Sequence, residues 1–100
     1  MEEQYQVDVY VPQRVNANPL FTKLRTEWSS AFGGTTRITG GGTYQHEAEE
    51  GIAIYRIYVP ASLPKDEVVR YFTAMRKTLE QTFPDEEEFL IAMSEGHYFI

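Results

Sequence analysis

The sequence predicts a single α+β domain in which two amphipathic helices pack on one face of an antiparallel β-sheet. Three observations support this prediction. Apolar and polar residues alternate near the N-terminus, apolar residues recur at helical spacing in two later segments, and a strongly β-prone run lies between those two segments. A chain of 100 residues has room for one hydrophobic core, so residues 1–100 are expected to form one domain.

The composition argues against several classes of chemistry and partner. The chain has no cysteine, which removes disulfides and thiolate chemistry. Fifteen acidic residues against nine basic ones give a net charge of −6, so general nucleic-acid binding is not expected. The sequence shows no signal-peptide pattern and no apolar run near the roughly 20 residues of a membrane span. We therefore predict a soluble, cytoplasmic protein without membrane association or a cofactor.

The first third of the chain predicts a strand followed by a helix. Residues 4–11 alternate apolar and polar side chains, which is typical of a strand with one buried face. After a loop at residues 12–18, Asn18 is suited to cap a helix and Pro19 to occupy its first position. An apolar stripe predicts a helix of about 14 residues, and the glycine pair at 33–34 ends it.

The centre of the chain predicts a long β-hairpin. Residues 35–39 are β-prone, glycines occupy positions 40–42, and residues 44–46 regain extended character. An acidic turn at residues 47–51 then leads into the run 52–59, which is the most β-prone in the chain. Since both faces of this last run carry apolar side chains, we expect it to be a central strand.

A single charged residue interrupts the most β-prone run. Arg56 shares a strand face with Ile52, Ile54 and Tyr58. We predict that it forms a cross-strand ion pair with Asp8 on the first strand.

The C-terminal part predicts a second helix and a terminal hairpin. Ser62 is the expected N-cap of a helix of about 19 residues, which Pro84 terminates. A strand is expected near residues 88–94 and a short one at 97–100, separated by Glu-Gly. The resulting order is strand, helix, strand, strand, helix, strand with an extra terminal strand, which is the βαββαβ order of the ferredoxin-like α/β plait.

The layout from residue 24 onward resembles that of small bacterial and phage α/β-plait proteins of uncharacterised function. The matching features are Phe32-Gly33-Gly34, Gly40, Gly42, Tyr44 and Gly51. The resemblance implies the plait fold and brings no catalytic residues with it. In fold alone, the chain is also similar to signalling proteins of the nitrogen-regulator type and to dimeric α/β-barrel enzymes.

The glycines at 40–42 are the first candidate for a site. A phosphate-binding loop would lead from a strand into a helix N-terminus, whereas here a strand follows. The glycines therefore indicate a bulge, or close approach by a second subunit or a small anionic or nucleotide-like ligand. The candidate ligand-binding residues are Arg37, Gly40, Gly41, Gly42, Tyr44 and Arg56.

The leading functional hypothesis is a non-enzymatic binding module that self-associates as a dimer or trimer. A plait leaves one sheet face uncovered. When that face is apolar, it is usually covered by a partner. The candidate interface residues are Tyr10, Ile52, Ile54 and Tyr58.

Two alternatives remain open: a dimeric α/β-barrel enzyme with His46 or His97 as acid–base, and an interaction module of a host or phage assembly. Metal binding by His46 and its neighbouring glutamates is not expected, because one narrow turn cannot aim them all inward. RNA binding is not expected either, since Ile52 and Ile54 stand where stacking aromatics would be needed.

Overall fold

The structure is a computed structural model that describes residues 4–40, 43–44, 47–48, 52–86, 89–93 and 98–99. In chain order its elements are β1 (Gln4–Pro12), α1 (Gln13–Asn16), α2 (Pro19–Phe32), β2 (Thr35–Gly40), β3 (Thr43–Tyr44), β4 (Glu47–Ala48), β5 (Ile52–Pro60), α3 (Lys65–Thr82), β6 (Leu90–Met93) and β7 (Tyr98–Phe99). Of the helices in this part of the chain, none combines the length and apolarity needed to cross a membrane.

The main sheet is antiparallel throughout, with the strand order β2-β5-β1-β6-β7. The predicted α+β class, with an antiparallel sheet and two long helices, is confirmed. The prediction of a central strand at residues 52–59 is also confirmed, because β5 lies between β2 and β1. All nine residues of β5 pair with the nine residues of β1, from Pro60 opposite Gln4 to Ile52 opposite Pro12.

The core lies between one face of the sheet and the two long helices. Alternate residues of β1 and β5 are buried, as the period of two predicts. From α2, Phe21 stacks on Tyr55 of β5 with ring centroids 5.8 Å apart, and the Trp28 ring meets Tyr55 edge-on at 5.6 Å. From α3, Phe72 packs against Trp28 at 6.4 Å. Both helices therefore cover the same face of the sheet.

The ends of α2 follow the sequence signals. The Asn18 side chain accepts a hydrogen bond from the Leu20 backbone N–H at 3.0 Å, and Pro19 begins the helix. At the other end, Gly33 has φ +104° and its N–H donates to the Ser29 carbonyl. The predicted cap, 14-residue length and glycine stop are confirmed.

The start of α3 differs from the prediction. Ser62 is not the N-cap; the helix begins at Lys65, after Pro64. A residue before proline is disfavoured in helical conformation, so Leu63 cannot belong to the first turn. Residues 60–63 instead make a turn in which the Leu63 N–H donates to the Pro60 carbonyl at 3.1 Å.

Two further segments differ from the predictions. The short helix α1 occupies part of the predicted loop at residues 12–18, directly after β1. The sequence predicts extended structure at residues 44–46 and a turn at residues 47–51, but Thr43–Tyr44 pairs with Glu47–Ala48 as a separate two-stranded sheet. The hairpin between β2 and β5 itself is confirmed, with its register running from Gly40 opposite Ile52 to Thr35 opposite Ile57.

The predicted terminal hairpin is confirmed in its described part. β6 pairs with β1 on one side and with β7 on the other, where Ala92 lies opposite Phe99. Phe89, just before β6, is buried and packs against Phe83 beyond the end of α3. These contacts bring the C-terminal segment onto the sheet beside β1.

Candidate functional site

The sheet face turned away from the helices is mostly apolar. The pairing register places Ile38, Ile54, Tyr10 and Leu90 side by side across β2, β5, β1 and β6. The first three are half-buried, and Leu90 is 37% exposed. The neighbouring row consists of Thr36, Arg56, Asp8 and Ala92. We call these two rows, together with Ile52 and Tyr58, the open face.

The charged residues of the second row form a fork-to-fork ion pair. Arg56 Nε lies 3.0 Å from Asp8 Oδ1, and its terminal nitrogen lies 3.1 Å from Asp8 Oδ2. The Asp8 side chain is 14% exposed and that of Arg56 33% exposed, so the pair is partly withdrawn from water. The predicted cross-strand ion pair is confirmed.

The electrostatics of Arg56 follow from this pairing. The hydrogen bond to Asp8 and the Coulombic attraction of its carboxylate raise the pKa of Arg56, against a smaller effect of burial. Tyr58 and Tyr10 make lesser Coulombic contributions in the same direction. The two opposite charges therefore offset each other within a mostly apolar part of the sheet.

The four predicted interface residues lie together. Tyr10, Ile52, Ile54 and Tyr58 all occupy the open face, and all four are half-buried. Each is directly opposite another outward-facing residue across the β1–β5 pairing, for example Tyr10 opposite Ile54. The sequence prediction of their shared face is confirmed, while their role in an interface stays a prediction.

The predicted ligand-binding residues are not brought together in the same way. Arg37 lies opposite the buried Tyr55, on the helix-covered face, whereas Arg56 lies on the open face. A sheet therefore separates the two guanidinium groups. Gly40 ends β2 and Tyr44 belongs to the separate β3–β4 pair. Gly41 and Gly42 lie outside the described residues.

Arg37 instead belongs to a polar cluster that the sequence did not predict. The Asn16 side-chain amide fits between two neighbours: its oxygen accepts from Arg37 Nε at 3.2 Å, and its nitrogen donates to the Tyr55 hydroxyl. This satisfies the polar end of a buried tyrosine. No signal in the sequence connects these residues, because the contact depends on α1 bending back after β1.

A depression lies on the outer surface of α2. Its volume is roughly 450 Å³, and its lining residues are Thr22, Arg25, Thr26, Ser29 and Ser30. The lining holds hydroxyl groups and one guanidinium but no histidine or carboxylate. Thr26 Oγ1 already donates to the Thr22 carbonyl at 3.1 Å. The depression therefore lacks an acid–base group such as the alternative enzyme hypothesis needs.

The two candidate acid–base residues, His46 and His97, both lie outside the described residues. Within the described residues, no three His, Asp or Glu side chains gather as metal ligands would. Comparison with models of protein families, with curated proteins and with solved structures found no match. The resemblance to bacterial and phage plait proteins stays a prediction.

Proposed function

We propose that the chain is a ferredoxin-like plait that acts as a non-enzymatic, self-associating module. The strand order supports the fold: in chain order the long strands β1, β2, β5 and β6 are first to fourth, and across the sheet they read second, third, first, fourth. That is the plait order, and every neighbouring pair is antiparallel, as the plait requires. The uncovered side of such a sheet is the open face.

The observation that carries the functional proposal is the charge balance of the open face. The chain has a net charge of −6, yet the charged residues on the described part of this face are Asp8 and Arg56, which neutralise each other. Within the described residues the acidic excess therefore lies away from this face, and a second copy meets no net charge on that part of the surface. A partner that carries strong charge of one sign gains no net electrostatic attraction from such a surface.

The side chains of the open face also suit a protein interface. Tyrosine and arginine are enriched at the centres of protein interfaces, where charged residues are otherwise depleted. Tyr10, Tyr58 and Arg56 provide this combination, with Ile38 and Ile54 supplying aliphatic area around them. A second sheet packed face to face is one way in which an apolar sheet face is covered.

The size of the open face fits a dimer of modest affinity. The four strands contain 9, 6, 9 and 4 residues, and each residue covers about 16 Å² at a rise of about 3.3 Å and a strand spacing of about 4.8 Å. Two such faces therefore enclose on the order of 900 Å², somewhat below the roughly 1,200 Å² at which stable interfaces begin. A face meeting its own copy about a two-fold axis closes at two subunits, which favours a reversible dimer over a trimer.

Sedimentation velocity over a wide range of chain concentration tests this proposal. The wild type should shift from monomer to dimer as concentration rises. Ile54→Lys and Leu90→Lys place an uncompensated charge on the open face and should remain monomeric. Thr22→Lys adds the same charge on the exposed surface of α2 and should dimerise like the wild type.

Circular dichroism of each variant ensures that only folded chains are compared. A wild type that stays monomeric at every concentration overturns the proposal. Equal disruption by Thr22→Lys would show that added charge alone, rather than its place on the open face, controls association. A small anionic ligand bound between subunits stays a prediction. Only one of the two candidate arginines, Arg56, lies on the open face.

A further inference from the structure

The Asp8–Arg56 pair occupies the middle of the open face. Outward-facing residues of β1 fall at positions 4, 6, 8, 10 and 12, and those of β5 at 52, 54, 56, 58 and 60. Asp8 and Arg56 are the third of five on each strand. Any face-to-face contact between two copies that is centred on the sheet must therefore bring two such ion pairs against each other.

Each pair has a direction, because its negative end lies on β1 and its positive end on β5. We infer that the two-fold axis of the dimer runs parallel to the strands, between β1 and β5, and sets Arg56 over Asp8 of the partner subunit. This inference rests on the self-association proposed above and deepens it, since it specifies how the two copies are oriented.

Electrostatics distinguish two ways of turning one sheet over onto another. Rotation about an axis along the strands exchanges the positions of β1 and β5, so opposite charges meet. Rotation about an axis across the strands keeps those positions, so Arg56 meets Arg56 of the partner subunit and Asp8 meets Asp8 of the partner subunit. Like charges in a partly dry interface repel strongly, which disfavours the second arrangement.

Hydrogen-bonding capacity favours the same arrangement. A guanidinium offers five N–H donors and a carboxylate about four acceptor sites, and the fork within one copy uses two of each. The remaining donors and acceptors need partners once the faces exclude water. Stacking two pairs head to tail supplies those partners.

The two arrangements place the sheet edges differently. With the axis along the strands, β2 of one copy lies over β6 of the other, so Thr36 approaches Ala92 of the partner subunit. With the axis across the strands, Thr36 approaches Thr36 of the partner subunit. Both residues flank the ion pair in the same row, and facing sheets lie about 10 Å apart.

Thiol cross-linking separates the arrangements, because the chain has no cysteine of its own. Tagged Thr36→Cys and untagged Ala92→Cys chains are mixed and treated with a short bismaleimide. The expected result is a mixed cross-linked dimer in at least several-fold excess over either homodimer. A predominance of the Thr36→Cys homodimer, or equal yields of all products, would overturn the inferred axis.

The same samples are run in the analytical ultracentrifuge. Dimers that sediment normally but lack the mixed cross-link contradict the axis alone, whereas absence of dimers contradicts the proposed function and the inference together. The Asp8→Asn/Arg56→Gln double variant tests the role of the charges with little change of shape. Dimers of this variant should lose the several-fold preference for the mixed product; an unchanged preference would show that the ion pair does not set the orientation.

Discussion

Asp8 and Arg56 lie 48 positions apart in the chain and join the two central strands by two hydrogen bonds of 3.0 and 3.1 Å. Because β1 and β5 pair along their whole length, this contact also reports their register. A slip of one strand by one residue would turn its charge towards the buried face and leave the other charge without its partner. The pair therefore favours the observed register of β1 and β5 and lies in the middle of the open face.

Removing one partner of this pair should cost more than removing both. We expect Arg56→Gln to lower the free energy of unfolding by about 1–3 kcal/mol, because it leaves the Asp8 carboxylate partly buried without its cation. The Asp8→Asn/Arg56→Gln double variant should recover part of that loss. Urea unfolding of the four chains of the cycle at one chain concentration measures the coupling between the two residues.

The Asp66–Arg70 pair is the matched control for this cycle. Its charged atoms are 4.0 Å apart on the surface of α3, and both side chains are more than three-quarters exposed, at 78% and 77%. Exposed pairs at this helical spacing contribute only about 0.3–0.5 kcal/mol. A coupling at Asp8–Arg56 no larger than that at Asp66–Arg70 would contradict the structural importance given to the central pair.

The ion pair could be predicted from the sequence because side chains alternate along a strand, so each residue of β1 and β5 can be assigned to one face of the sheet. The same period separated the buried and open faces of β1 and β5 correctly. The start of α3 was mispredicted because Ser62 is a good cap in isolation, while the restriction that Pro64 imposes on Leu63 overrides it. The Asn16–Tyr55–Arg37 cluster could not be predicted from the sequence. Asn16 meets Tyr55 and Arg37 only because the short helix α1 places it there, and that helix was not expected.

The two faces of β5 should respond differently to the same substitution. Ile57 is fully buried, so Ile57→Ala should lower the free energy of unfolding by about 2–5 kcal/mol. Ile54 is half-buried on the open face, so Ile54→Ala should cost roughly 1 kcal/mol in the folded monomer. Sedimentation should show weaker dimerisation for Ile54→Ala but not for folded Ile57→Ala. The reverse order of stability losses would contradict the assignment of the faces.

The adjacent glycines after α2 should differ in their tolerance of a side chain. Gly33 has φ +104°, so Gly33→Ala should cost about 1 kcal/mol although no atom lies within 4 Å of the added Cβ. At Gly34 the added Cβ would meet Tyr58 Cδ2 at an ordinary 3.7 Å, without a positive φ. Gly34→Ala should therefore be neutral or stabilise by up to about 1 kcal/mol. Thermal unfolding of both variants checks this contrast, and equal losses would argue against the left-handed cap.

Tyr71 should make stability fall at high pH. Its hydroxyl donates a hydrogen bond to Glu27 Oε1 of α2, linking the two long helices. Burial is the main cause that raises the pKa of Tyr71, and the bond to Glu27 raises it further. The folded state therefore holds this proton more tightly than the unfolded chain, in which tyrosine titrates near pH 10.

The sign of the effect follows from this difference in proton binding. Below about pH 10 the contribution of Tyr71 is fully present, and it is lost as pH rises from there through the higher folded pKa. At neutral pH, Tyr71→Phe should lower the free energy of unfolding by about 0.5–1.5 kcal/mol through loss of the hydrogen bond. In alkaline solution the wild type loses its advantage and the phenylalanine variant becomes the more stable.

Urea unfolding at neutral and alkaline pH measures this crossover in stability. The Glu27→Gln variant keeps a hydrogen-bond acceptor for Tyr71 and leaves Tyr71 buried, so it should retain most of the loss of stability at alkaline pH. A constant difference between wild type and Tyr71→Phe at every pH would show that the proton on Tyr71 is not linked to folding.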